Sequence, residues 1–296
     1  MSFRAIVVIP SGSEESVVGA QFIAPRNQGV INHAPTEERF LPSVEMTKWC
    51  GRNDKWRFCM NKTIAIYQRE MKTFFVSPVA YIVSCIFLIT AGYLFSIILF
   101  YTHEANLRGL FDNLKFVLLF MAPILTMRLL AEEKKLGTDE LLFTSPLTNY
   151  EVILGKYFAA VTLYLIMLIF TIEFPVVLKM YSNPDMGPIY SGYLGIFLFG
   201  SAFISVGLFA SSITENQIVA AIISFGLLLI LWLISWATVI IPFEWAKNVL
   251  TSLSLIEHYN NFEKGAINSG DIFYYLSFCF LFIFLTNQVM EAKRWK

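Results

Sequence analysis

Few residues in this chain have the types and spacing that catalysis or phosphate binding requires. A loop of the form GxxxxGK(S/T) needs glycines that wrap the backbone around a phosphate and a lysine that neutralises it. Gly155 and Lys156 come nearest, but Tyr157 follows them, and Tyr150 stands where the first glycine is needed. The motifs HExxH, GxSxG and CxxC do not occur either. We therefore expect no catalytic site and no cofactor in this chain.

Cysteine and histidine do not suggest a metal site or a disulfide framework. The four cysteines lack the spacing of zinc ligands, two of them lie in apolar runs, and the chain has only three histidines. We interpret the cysteines as small hydrophobic residues or incidental thiols.

Glu173 is the one acidic residue inside a long apolar stretch. A carboxylate within a membrane is costly and often functional, so a proton relay is one hypothesis. Its place near the end of the stretch, with Pro175 following, favours a position at the membrane interface. A proton-coupled carrier also usually needs several such groups.

The densest group of charges lies in residues 127–146. Seven charged residues fall between Arg128 and Glu140, and long apolar segments flank them on both sides. This pattern predicts a polar connection between two membrane spans.

A short helix is expected within this connection. Gly137 is predicted to end the helix that continues from the preceding span, and Thr138 or Asp139 to cap a new one that Pro146 ends. Its apolar side chains either fit a socket on a partner protein or fold back onto the bilayer surface. These side chains are Leu141, Leu142 and Phe143.

The composition is that of a polytopic membrane protein. The chain of 296 residues is 56% hydrophobic and 15% charged, with a mean hydropathy of +0.60, whereas soluble domains carry roughly 25% charged residues. The formal net charge is zero, so no basic surface suggests nucleic acid as a partner. The lipid bilayer is the expected environment.

Six segments are predicted to span the membrane as helices, which gives an all-α fold. The second is the least regular, because it needs residues 111–131, with Asp112, Lys115 and Arg128 reaching to the interfaces. The six segments are residues 78–101, 111–131, 157–178, 189–214, 216–243 and 272–290.

Lysine and arginine are distributed unevenly between the two sides. With the N-terminus inside, ten of the fifteen in residues 60–296 fall in inner segments and five in outer ones. The positive-inside rule therefore predicts that both termini and residues 127–146 are cytoplasmic.

The N-terminal region differs from the rest. Residues 1–59 carry four prolines and no sustained periodicity, so we expect a disordered or mis-called extension before a start at Met60; a regulatory domain is the alternative. From Thr63 to Phe75, apolar residues fall on one helical face, with Arg69 and Glu70 on the other. This pattern predicts an amphipathic helix in the membrane interface.

Two further segments have specific expectations. Small residues in the fourth span are predicted to allow close helix packing, with substrate contact as the alternative. The connection between the fifth and sixth spans is apolar, with Trp245, Leu250, Leu253, Leu255 and Ile256, and predicts two short helices dipping into the outer leaflet. The small residues are Gly200, Ser201, Ser205, Gly207 and Ser211.

Several of these segments together resemble the permease subunits of ABC-2 type transporters. The resemblance rests on MRLLAEEKKLGTDELLFTSP at 127–146, VILGK at 152–156, YLG at 193–195 and GLFASSITENQ at 207–217. It covers residues 60–296, and within the family it is closest to the branch that includes the gliding-motility permease.

The resemblance implies a non-catalytic subunit that pairs with a second copy or a sister permease and binds two ABC ATPase subunits, which hold ATP and Mg²⁺. It also implies a bacterial inner (plasma) membrane location and a short cytoplasmic coupling helix. The coupling residues it implies are Glu132, Glu133, Gly137, Thr138, Glu140, Leu141 and Leu142. A lone ion-coupled carrier and a non-transporting membrane scaffold remain the alternatives.

Overall fold

The computed structural model describes residues 52–102, 106–137, 148–240 and 243–294, which form eleven helices and no strand. In chain order the helices are α1 (Arg52–Val76), α2 (Pro78–Thr102), α3 (Arg108–Thr126), α4 (Ala131–Lys135), α5 (Asn149–Phe170), α6 (Glu173–Tyr181), α7 (Met186–Ile213), α8 (Gln217–Ile240), α9 (Glu244–Leu253), α10 (Leu255–Glu263) and α11 (Ser269–Arg294). Most of the predicted extension 1–59 lies outside the described residues, although α1 begins within it.

Six helical segments are long and apolar enough to cross a membrane, which confirms the predicted all-α polytopic class. They are Pro78–Thr102, Arg108–Lys135, Asn149–Tyr181, Met186–Ile213, Gln217–Trp236 and Ser269–Ala292.

Helix α7 lies at the centre of the bundle. In its most apolar window 78% of the residues are buried, against 17% for α2, so α7 is surrounded by protein while α2 is peripheral. It packs against α3, α5, α8, α10 and α11. The small residues predicted in the fourth span therefore belong to the most enclosed helix among the described residues.

The second span contains a break that was not predicted from the sequence. Residues 127–130 form turns between α3 and α4. The prediction that Lys115 reaches out to the interface was wrong: its side chain is only 4% exposed, pairs with Asp112 and lies over the Tyr259 ring. Helix α10 covers it, so its ammonium is held within the protein.

The third span is also interrupted, because Thr171 and Ile172 form a turn between α5 and α6. Glu173 is exposed in the first turn of α6. A carboxylate at a helix N-terminus is favoured by the backbone dipole.

Helices α9 and α10 confirm the two short helices predicted between the fifth and sixth spans. The Ser254 hydroxyl caps α10 by accepting from the Glu257 N–H at 3.3 Å, and Leu255 is buried. The side chains of Trp245 and Leu253, however, are exposed on the surface of the protein.

Candidate functional site

Charged side chains from three segments meet at one end of the bundle, where α1, residues 127–137 and α5 come together. We name this group the charged junction. It carries three cations and three anions: Arg69, Glu70, Arg128, Glu132, Glu133 and Lys156.

Lys156 is the centre of the charged junction. Its Nζ lies 2.9 Å from Glu70 Oε1 and 3.0 Å from Glu133 Oε1, and its side chain is only 2% exposed. An ammonium has three N–H donors, so it can serve both carboxylates at once. A single buried cation therefore joins α1, α4 and α5.

Local sequence fixes the start of α5, which carries this lysine. The Thr148 hydroxyl accepts from the Glu151 backbone N–H at 3.4 Å, and the Glu151 carboxylate accepts from the Thr148 N–H at 2.8 Å. This reciprocal capping box satisfies two donors that a helix end leaves unpaired.

Gly155 brings α1 close to α5. A Cβ at this position would lie 2.8 Å from Ile66 Cγ2 and 3.2 Å from the Thr63 carbonyl oxygen. Because Glu70 follows Ile66 by one helical turn, this close approach places its carboxylate beside Lys156.

The inward face of α1 differs from the predicted one. Among residues 62–76 of α1, whose side chains the structure describes, Ile66 and Glu70 are buried, whereas Ile64 and Phe75 of the predicted apolar face are exposed. The prediction that Glu70 belongs to the outward, polar side of α1 was wrong, because pairing with Lys156 compensates the burial of its charge.

Both acidic residues of α4 form ion pairs, although the Glu132 side chain is 35% exposed. Glu133 contacts Lys156 and, at 3.4 Å, Arg69 Nη2. Glu132 accepts from Arg128 Nε at 2.9 Å, and Arg128 Nη1 donates to Ser77 Oγ at 2.6 Å. These pairs tie α4 to α1 and to the linker before α2.

Ser211 attaches the break in the second span to α7. Its Oγ accepts from the Leu130 N–H at 3.1 Å and the Ala131 N–H at 3.0 Å, and donates to the Met127 carbonyl oxygen at 3.2 Å. The first N–H groups of α4 thus find their acceptor on another helix.

Lys134 makes a second attachment to α7, because its Nζ donates to the Ser212 carbonyl oxygen. A cation is favoured at a helix C-terminus, where backbone carbonyls are unpaired. Residues 127–137 are therefore held on α1, α5 and α7.

Gly137 follows α4 with a φ of 67°, a left-handed conformation that ends a helix and that glycine adopts without steric cost. Leu136 just before it is 67% exposed. Four of the residues implied by the resemblance, Thr138, Glu140, Leu141 and Leu142, lie outside the described residues.

The small residues of α7 face different neighbours. A Cβ on Gly200 would lie 2.4 Å from the Tyr164 ring, and one on Gly207 would lie 2.1 Å from Thr126 Oγ1. The carbonyl oxygen of Ser201 accepts from the Tyr157 hydroxyl at 3.2 Å, and Ser205 is fully buried. The small residues of α7 are therefore used for contact with neighbouring helices.

The roles of Glu70 and Lys156 were not predicted from the sequence. One signal was present: a lysine directly after a glycine inside an apolar helix, where an unpaired charge is costly. Its partners lie far along the chain, with 86 residues separating Glu70 from Lys156.

A second polar cluster lies where α3 meets α10. Burial raises the pKa of Glu263, as do the neighbouring Asp112 carboxylate and a hydrogen bond with it, while Lys115 and Arg108 act in the opposite direction. The buried ring of Tyr259 completes the cluster, and burial raises its pKa. The folded protein therefore favours the protonated form of Glu263.

Replacing Glu263 with glutamine is expected to raise thermal stability at about pH 8 and to leave it nearly unchanged at about pH 4. A carboxyl whose pKa is raised on folding contributes stability at low pH that is lost as pH rises through the raised value. Glutamine resembles the protonated carboxyl and does not titrate. Melting curves in detergent across this range test this; an equal pH dependence in wild type and variant contradicts it.

Comparison with known proteins agrees with the resemblance. The family model described as ABC-2 family transporter protein matches residues 64–290, which include all of α2 to α10. No curated protein matches the chain. With a match over most of its length and six candidate spans, the chain belongs to the ABC-2 transporter family.

Proposed function

We propose that this membrane permease is the spanning subunit of an ATP-driven exporter and that residues 127–137 receive force from separate ATPase subunits. The observation that carries the proposal is the buried Lys156, which joins Glu70 of α1 to Glu133 of α4. ATP and Mg²⁺ would be bound by the partner subunits.

The contacts of residues 127–137 support transmission of movement. Lys156 ties α4 to α1 and α5, while Ser211 and Lys134 tie it to α7. Because buried charge pairs are costly to separate, a push on this segment is expected to move these helices together rather than to detach it.

We assign two different roles to the residues of the implied coupling region: attachment to the rest of the permease and contact with the ATPase. Glu133 contacts Lys156 and Arg69, and Glu132 pairs with Arg128, which in turn donates to Ser77, so both glutamates help to hold the segment in place. Leu136 is exposed, and we assign it to contact with the ATPase together with Thr138, Glu140, Leu141 and Leu142, which lie outside the described residues.

The wider setting follows from charge distribution and resemblance. We place the charged junction and both termini in the cytoplasm of a bacterium, with the chain in the inner membrane. It works with a second copy or a sister permease, and the gliding-motility branch is the proposed subfamily.

Replacing Leu136 with aspartate is expected to lower ATP hydrolysis by the co-purified complex several-fold without unfolding the permease. An exposed apolar side chain contributes to a partner interface but little to the fold of its own chain. The measurement is ATPase activity of the complex in lipid nanodiscs, with melting temperature recorded for each variant.

Leu253→Asp is the matched control. Leu253 is also an exposed leucine near a helix end, but it lies in α9, on the side that we place outside the cell. Its replacement should leave ATPase activity unchanged. Equal effects of the two variants, or purification without any ATPase, would argue against the proposal. Proton-driven uptake lost in Glu173→Gln would favour an ion-coupled carrier instead.

A further inference from the structure

An apolar groove of about 400 Å³ lies along the third and fourth candidate spans, between α5, α6 and α7. Leu165 and Phe197 line it on α5 and α7, and Lys179 is the one charged residue among its lining side chains. A volume of this size is typical of small-ligand pockets.

The groove lies where the third span is interrupted. One face of α6 packs inward, with Phe174 and Leu178 buried and the Phe174 ring stacked on Phe95 at 4.8 Å. Pro175 and Lys179, one turn apart on another face, line the groove. Helix α6 therefore separates the groove from α2.

The Tyr193 hydroxyl satisfies a backbone carbonyl group at this interruption. It donates to the Thr171 carbonyl oxygen at 2.7 Å, so the polar group that the turn exposes is satisfied within the protein. The remaining surface next to it is apolar, which suits hydrocarbon rather than water.

The dimensions suit one acyl chain. Helix rise gives about 8 Å from Leu165 to Phe170 on α5 and about 9 Å from Glu173 to Lys179 on α6, and one leaflet of the hydrocarbon core is about 15 Å deep.

The charge at one end selects the head group. Lys179 is exposed in the last turn of α6, where a lysine can extend to the interface while its stem stays in apolar surroundings. We propose that this groove binds an anionic phospholipid, with an acyl chain along α5 and α7 and the phosphate at Lys179. This binding is independent of the ATPase partner.

The test measures lipid binding by the full chain without an ATPase, by native mass spectrometry with phosphatidylglycerol and phosphatidylcholine. Lys179→Gln is expected to weaken phosphatidylglycerol binding about fivefold, as one basic residue near an anionic lipid contributes about 1 kcal/mol, and to leave phosphatidylcholine unaffected. Val176→Trp, which fills the groove, should weaken binding of both lipids.

Lys247→Gln is the control, because Lys247 is an exposed lysine of α9 outside the groove lining. Equal phosphatidylglycerol affinity of Lys179→Gln and Lys247→Gln would overturn the head-group assignment. A changed oligomeric state in Val176→Trp with unchanged lipid binding would show instead that a second copy occupies the groove, and would overturn the proposal.

Discussion

Replacing Lys156 with methionine is expected to lower the free energy of unfolding by about 3–5 kcal/mol, the usual cost of removing one partner from a buried ion pair. Methionine has a similar length but no charge, so the two nearby carboxylates of Glu70 and Glu133 lose their shared cation. Unfolding titrations in mixed micelles measure the loss. ATP-driven transport should fall with it, because α4 loses its link to α5.

Two comparisons separate charge from packing. Arg69→Ala is expected to lower the free energy of unfolding by about 1 kcal/mol or less, as is usual for exposed ion pairs. Arg69 is 59% exposed and lies 3.4 Å from Glu133. A triple variant, Lys156→Met with Glu70→Gln and Glu133→Gln, should recover most of the stability, since it removes all three buried charges, and Arg69, which loses Glu133, is 59% exposed. Unchanged stability of Lys156→Met would contradict the central role of this lysine.

The membrane spans were accessible from sequence because lipid demands a simple pattern. A charge-free run at residues 189–214 predicted the fourth span, and α7 covers Met186–Ile213. The end of α4 was equally clear, because Gly137 adopts the left-handed conformation that glycine permits.

The break at residues 127–130 was not accessible in this way. Leu129 and Leu130 are buried apolar residues, so the hydrophobic pattern runs through the turn without interruption. The break is stabilised by the Ser211 hydroxyl, which lies 81 residues from Leu130 along the chain. Such a contact depends on how α3 and α7 pack, and a single sequence does not contain that information.

The same limit applies to the candidate site. The family resemblance implied that Glu132 and Glu133 belong to the coupling region, but it did not give the direction in which their side chains point. Glu133 turns inward because Lys156 and Arg69 surround its carboxylate. Helix periodicity also gave Glu70 to the polar face of α1, since pattern rules place charges outward unless a buried partner is known.

Helix α7 contacts the helices on both sides of the break at residues 127–130. Its Ser211 hydroxyl caps α4, and its Gly207 lies against α3. Thr126 is the last residue of α3 before the break and is fully buried. The separation of α3 and α7 at this point therefore sets the position of residues 127–137.

Replacing Gly207 with alanine is expected to destabilise the protein. The new Cβ would lie 2.1 Å from Thr126 Oγ1 and 2.8 Å from Thr126 Cβ, so α3 and α7 must separate. Overpacking of this kind costs about 1–3 kcal/mol, which exceeds the gain of up to about 1 kcal/mol from replacing a helical glycine. Unfolding titrations report the stability, and ATPase activity of the complex reports the displaced segment.

Gly226→Ala provides the matched control, because a Cβ there has no neighbour within 4 Å. Its expected effect is neutral or stabilising by up to about 1 kcal/mol. Thr126→Ala removes the hydroxyl and the methyl group that the new Cβ meets, so the double variant should be more stable than the sum of the two single effects predicts. Strict additivity would show that Gly207 acts elsewhere, and a stability gain in Gly207→Ala equal to that of Gly226→Ala would show that α3 and α7 are not in close contact.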